Sequence, residues 1–294
     1  MGLSFARGLF SVDRMRFSSS RLAELDGAYR VLKEPVDRPA AQRDPAVAER
    51  VSAMLSDIER GGMDAVLRYA RELDGWDGGD VELGAADLER SGDDLPKEVR
   101  AGLELGAERT RAFALAQRSH LVDFETELAP GLVTGHRYVP VERVGAYLPA
   151  GRFPLLASAF MTAGVAKAAG VPTVLACSPP GPDGRAHPAV LYSAYLSGVD
   201  RAYALGGVQA LAAMAFGLLG EPEVDMIVGA GNAYVAEAKR QLFGTVAIDL
   251  LAGPSEVAVI ADETADPELV AADLLGQAEH GVNSPAALVT TSQR

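Results

Sequence analysis

Cysteine is almost missing: Cys177 is the sole thiol among 294 residues. One thiol cannot close an internal disulfide, so nothing here calls for an oxidising compartment. Cys177 ends the apolar run Thr173-Val174-Leu175-Ala176 and reads as a buried thiol at a strand end rather than a nucleophile, since none of the four histidines adjoins it. Positive charge is also short: 27 Lys and Arg against 40 Asp and Glu give a net charge of -13. Such a chain repels phosphate backbones and anionic lipid, which argues against nucleic acid and membrane surfaces as partners. No apolar run reaches the roughly 20 residues of a membrane span. A secretory leader is not expected either, because Leu9-Phe10 is too short for its apolar region. Met1 to Leu22 carries four arginines and five serines. That mildly resembles a transit peptide, but a plain N-terminal segment of a cytoplasmic protein is the preferred reading.

The composition, 48% hydrophobic and 23% charged, is that of a globular chain with a sizeable core, and the length suggests about two domains. The first third reads helical. Val47, Val51, Met54, Leu55 and Ile58 recur at helical spacing, Asp44-Pro45 suits a cap followed by a first-turn proline, and Asp64 to Leu73 continues the pattern after Gly61-Gly62. Pro96 to Arg118 predicts a second long helix. Leu121 to Pro149 changes character: Val122 to Thr126 alternates, Pro130-Gly131 signals a turn, and Val133 to Val144 alternates again, predicting short strands.

From Val144 onward the pattern is strand, glycine turn, helix, repeated. Strands are expected at Val144–Leu148, Thr173–Cys177, Arg201–Leu205, Met226–Val228, Val246–Asp249, Val257–Ile260 and Ala286–Thr290. Helices are expected at Leu155–Ala169, Pro188–Ser197, Val208–Phe216, Ala233–Phe243 and Pro267–His280. This alternation predicts an α/β fold with parallel sheets and right-handed crossovers, whose ligands bind beyond the carboxyl ends of the strands.

Five segments are candidates for chemistry. Val228-Gly229-Ala230-Gly231-Asn232 joins a strand to a helix and matches two glycines of a dinucleotide fingerprint, but Tyr234 stands where the third belongs, and Asn232 is equally well a helix N-cap. Leu205-Gly206-Gly207-Val208-Gln209 is a similar turn; by itself, Gln209 reads as solvent-facing. Tyr147-Leu-Pro-Ala-Gly-Arg152 places a tyrosine and an arginine beside a glycine, suited to an anionic or planar ligand or to a plain surface turn. Asp273, Gln277 and His280 are spaced to share one helix face, either the start of a metal site or a helix end with a well-placed histidine. Leu251-Ala-Gly-Pro-Ser255-Glu256 links two strands, and nothing local gives it a role.

The order of these blocks is more specific than any one of them. Val144-Gly-Ala-Tyr-Leu-Pro-Ala-Gly-Arg, Gly206-Gly-Val-Gln-Ala-Leu-Ala-Ala-Met-Ala-Phe-Gly, Gly231-Asn-Ala-Tyr-Val-Ala-Glu-Ala-Lys-Arg, Ala252-Gly-Pro-Ser-Glu-Val and Asp273-Leu-Leu-Gly-Gln-Ala-Glu-His-Gly together resemble the histidinol dehydrogenase family, from about Val47 onward. The resemblance implies an enzyme that oxidises an alcohol through an aldehyde to a carboxylate in two NAD-dependent steps, in the manner of histidinol to histidine, as a cytoplasmic homodimer with zinc at each active site. It implies that Tyr147, Gln209 and Asn232 contact NAD. It implies that Ser255, Gln277 and His280 contact substrate and that Gln277 and His280 also bind zinc, while Asp273 has no ligand role. The family's catalytic Glu-His pair and its remaining zinc ligands would lie after Arg294, so the chain reads as C-terminally truncated, with no catalytic residue of its own and no expected turnover.

The implied architecture is two Rossmann-like domains: residues 1–146 with 254–294, incomplete at the C-terminus and including the helical lead-in, and an inserted NAD-binding domain, 147–253. Two departures bear on substrate. Gly151 to Met161 is largely apolar where histidinol-specific members are serine-rich, and Gly229-Ala230-Gly231 carries alanine where the family usually has proline. Both resemble paralogues that act on small anionic diols such as dihydroxypropanesulfonate, with Arg152 available to the anion. A catalytically inactive nucleotide-binding module is the third reading.

Overall fold

The computed structural model describes residues 44–294 except 77, 151–153, 252–255, 279–283 and 293–294. Arg152, Ser255 and His280 therefore lie outside the described residues.

The chain enters through helix α1, Pro45–Tyr69, with proline at its first position, where a missing N–H costs nothing. Its buried stripe is Val51, Met54, Leu55 and Ile58, then Ala65, Val66 and Tyr69. Gly62 breaks the helix with φ 58°, so the two stretches expected from sequence are two helices joined at a kink. A π turn, Ala70–Asp74, follows and is closed by Gly75 at φ 69°. Next come strand β1, Glu82–Leu83, and helices α2, Ala85–Arg90, and α3, Lys97–Arg118.

Strands β2, Phe124–Ala129, and β3, Leu132–His136, form an antiparallel hairpin turning at Gly131. Both of its faces are exposed. The expected strand from Val133 to Val144 is interrupted after His136; Pro140, which has no N–H to give a ladder, lies in the gap.

The remaining elements alternate as expected, with ends shifted by up to three residues: β4, Arg143–Tyr147; α4, Ser158–Ala169; β5, Thr173–Ser178; α5, Pro188–Leu196; β6, Arg201–Ala204; α6, Gly207–Ala215; β7, Met226–Val228; α7, Ala233–Leu242; β8, Ala247–Ile248; β9, Val257–Ala261; α8, Pro267–Ala278; and β10, Ala286–Thr290. Six strands form one sheet in the order β1-β6-β5-β4-β7-β8, parallel except that β1 runs antiparallel to β6. The sequence signalled neither β1 nor its place at the edge.

The pleat assigns alternate residues to two cores. Tyr147, Leu175, Cys177, Tyr203 and Ile227 face α1, α6 and α7. Val144, Ala146, Val174, Ala176, Ala202 and Ala204 face α4 and α5. With both faces covered, the central strands read as continuous apolar runs rather than alternating ones. Each fully buried Leu or Ile in these layers contributes about 1.5–3 kcal/mol. Gly145 is one point where size is limiting: a Cβ there would sit 2.6 Å from the Met214 sulfur, so glycine lets α6 lie close on the sheet. Beneath the second layer, α3 packs on α4 and α5, with Leu103 against Tyr192 and Phe160.

Strands β9 and β10 pair in parallel, with Val257 opposite Ala286 through to Ala261 opposite Thr290, and α8 packs on both. Among the described residues this βαβ unit shares no ladder with the six-stranded sheet.

Candidate dinucleotide site

Strand order locates the site first. Reading β6-β5-β4-β7-β8, the chain builds outward from β4 in one direction and then reverses to β7 and β8. The crevice between the carboxyl ends of β4 and β7 is thus the topological switch point, where open α/β sheets bind ligands.

Tyr147 ends β4 and is buried, and its phenolic oxygen accepts the Gly207 N–H at 3.1 Å. Burial pushes its hydroxyl up to about 12, so the phenol stays protonated at ordinary pH. Cys177 lies beside it in register on β5, and burial raises that thiol as well. The cysteine is therefore the inert strand-end residue expected from sequence.

The turn after β6 opens α6. Gly207 has φ 55°, a left-handed conformation that glycine adopts without penalty. Gln209 in the first turn is 1% exposed, which corrects the solvent-facing reading. Its Nε2 donates to Asp74 Oδ2 at 2.8 Å, and the Gly206 N–H donates to the same oxygen at 2.9 Å. Burial holds the Asp74 carboxyl above the usual range, partly offset by these two bonds. Gln209 Oε1 has no hydrogen-bond partner among the described residues.

The turn after β7 runs against Tyr147. Gly229 has φ 115°, and a Cβ there would lie 2.3 Å from the Tyr147 carbonyl oxygen. Its N–H donates to Asp249 Oδ2 at 2.8 Å and its carbonyl accepts from Lys239 Nζ at 2.7 Å. Lys239, itself buried, also pairs with Asp249, so lysine, carboxylate and turn form one closed set. Asn232 is the N-cap of α7: its Oδ1 accepts from the N–H groups of Tyr234 and Val235 at 3.0 and 3.1 Å. The structure therefore gathers the turns carrying Tyr147, Gln209 and Asn232 at one end of one sheet. Asp74, Lys239 and Asp249 were not singled out from sequence. Lys239 left a signal, a charge at helical spacing from Val235 and Leu242 on the buried face; Asp74 left none.

The second candidate cluster is less complete. Gln277 is buried on α8 while Asp273 is exposed, so the two do not share a buried face. Residues four apart on a helix differ by about 40° in direction. The edge of the less exposed stripe, which runs through half-buried Val270 and Leu274 and buried Gln277, falls within that angle. The described residues contain no group of three or more His, Cys, Asp or Glu side chains able to hold a metal.

Comparison with known proteins agrees with the motif order. A family model described as histidinol dehydrogenase matches residues 37–294. A histidinol dehydrogenase homolog of Ruegeria pomeroyi is 48% identical over 262 residues, 89% of this chain and 60% of that protein. Sulfopropanediol 3-dehydrogenase of the same organism is 46% identical over 244 residues, 83% of this chain and 56% of that protein. The crystal structure of histidinol dehydrogenase from Elizabethkingia anophelis superposes with a TM-score of 0.77 at 34% identity, covering 89% of this chain and 59% of that one. The chain thus spans about 60% of the length of these relatives. A match over nearly all of the chain, in sequence and in fold, places it in the histidinol dehydrogenase family.

Proposed function

We propose that this chain carries the dinucleotide-binding part of an NAD-dependent alcohol dehydrogenase, with NAD seated at the switch point between β4 and β7. One observation carries the reading: the glycine turns after β6 and β7 both meet Tyr147 there, and beside the first of them a buried amide oxygen, Gln209 Oε1, is left without a partner among the described residues. Buried acceptors are nearly always satisfied, so a ligand donor is the natural complement. Gly229, with no side chain, lets the turn after β7 close against the end of β4. The N-terminus of α7 favours a phosphate, and Asn232, whose Oδ1 is used for capping, has its Nδ2 to donate. The Tyr147 phenol, kept neutral by burial, fixes the Gly207 amide and adds no charge to the crevice. NAD, when bound, supplies the acceptor for the hydride removed from the alcohol carbon.

The described residues do not by themselves make a zinc site, because Gln277 is the one candidate ligand among them. Zinc accordingly enters no step of this reading.

For substrate, the two readings are an amino alcohol of the histidinol type and a small anionic diol. The second is favoured by the similarity to sulfopropanediol 3-dehydrogenase and by the apolar stretch after β4. Calorimetric titration of the chain with NAD tests the core reading. Saturable binding that Asn232→Ala weakens supports it, and heats indistinguishable from dilution sink it. NADH formation from histidinol against dihydroxypropanesulfonate, in the protein extended to its relatives' length, separates the substrates.

A further inference from the structure

The turn after β6 is held by a distant stretch of the chain. Asp74 ends the π turn of the lead-in, 132 residues before Gly206 and 135 before Gln209. A single oxygen of its carboxylate takes both the Gly206 N–H and the Gln209 Nε2. Gly206 makes room for it, since a Cβ there would lie 2.7 Å from Asp74 Oδ1. The next amide, Gly207 N–H, is spent on the Tyr147 hydroxyl. A carboxylate can only accept, so the Gln209 NH2 group must face Asp74 and its carbonyl oxygen must face the other way. That oxygen is the group left over, and a Cβ on Gly207 would reach to 3.1 Å from it.

Two consequences follow together. The Gly206 and Gly207 amides are already occupied, so neither glycine of this turn is free to hold a phosphate. What it offers is one fixed acceptor. We propose that Asp74 is a positioning residue for the dinucleotide site: it sets the polarity of the Gln209 amide so that Oε1 meets a donor on the ligand, a hydroxyl or an amide N–H, and the phosphates are received elsewhere, at the α7 turn. This rests on the NAD reading given above.

The experiment compares NAD affinity in wild type, Asp74→Ala and Asp74→Asn, using the whole chain. In Asp74→Ala nothing holds the Gln209 NH2 group, the amide is free to turn, and the expected loss is about tenfold or more in affinity. In Asp74→Asn the one side-chain oxygen can take the place of Oδ2 and accept both N–H groups, so most of the affinity is kept. Wild-type affinity in Asp74→Ala overturns the inference, and so does Asp74→Asn as weak as Asp74→Ala, since an acceptor at that place would then not be what matters. If the wild-type chain binds no NAD, the dinucleotide reading fails. The positioning claim is then decided by nitrogen-15 NMR of the Gln209 side-chain amide: its resonances shift and lose protection from exchange in Asp74→Ala, and unchanged resonances refute it.

Discussion

Replacing Gly229 with alanine tests how the crevice is built. Two costs are expected. Alanine at φ 115° is strained by about 1–3 kcal/mol. Its Cβ would also lie 2.3 Å from the Tyr147 carbonyl oxygen, a backbone atom of a central strand that cannot swing aside. Relieving that overlap by moving β7 from β4 costs a further amount, about 1–3 kcal/mol by analogy with overpacked cores. Gly244 supplies the control: its φ is 110°, nearly the same, and a Cβ there meets nothing within 4 Å. The difference between Gly229→Ala and Gly244→Ala therefore isolates the contact with Tyr147. In a chain of this size each kcal/mol lowers Tm by about 2–4 °C. Gly229→Ala should melt about 2–12 °C below Gly244→Ala by circular dichroism and should bind NAD measurably worse. Equal melting temperatures would show that β4 and the turn are not in the close contact described, and the switch point would lose its geometry.

Four further outcomes are expected. Lys239→Met leaves Asp249 without its cation and Gly229 without its carbonyl donor; because Asp249 keeps some solvent access, the loss is near the low end for a broken buried pair, about 3 kcal/mol by urea unfolding, and a neutral result would mean the pair is dispensable. Burial raises Asp74 above its unfolded value of 3.8, so the folded state binds its proton more tightly; stability of wild type relative to Asp74→Asn is greatest below that value and falls as pH rises through the raised one. Asp87 should show the reverse, gaining stability with rising pH, because bonds from Arg185, Gly84 and Arg90 outweigh its desolvation; parallel unfolding curves across the carboxylate range read both signs. Cys177, buried with a raised thiol, should react with a disulfide reagent only as the protein unfolds, and rapid native labelling would contradict its place in the core.

Much of the fold was legible because its signals are local. Apolar runs of strand length, broken by glycine and followed by helical spacing, located β4 to β10 and α4 to α8 to within a few residues at each end. Strand order was not legible, since ladder partners such as Val144 and Met226 lie far apart in sequence and no local pattern names them. The short edge strand β1 was missed for a related reason: two residues are too few to show alternation, and the pairing with β6 alone defines them. Gln209 shows the same limit within the site. Beside two glycines in a first turn it reads as a surface residue, and only the carboxylate of Asp74, folded back from the lead-in, explains its burial. Asn232, by contrast, was legible as a cap because its partners are two and three residues away.

The lead-in has a bearing on how this part of the protein can travel through evolution. Helix α1 roofs one face of the six-stranded sheet, β1 closes its edge, and Asp74 pins the turn that carries Gln209, yet all three precede residue 90 while the parallel strands begin at Arg143. A gene segment beginning at the parallel strands would uncover the faces of α6 and α7 on which α1 packs and release the glutamine. The six-stranded half is thus not a cassette to be spliced between genes by itself; recombination that keeps it folded must carry the N-terminal helices along, or supply a new cover in their place.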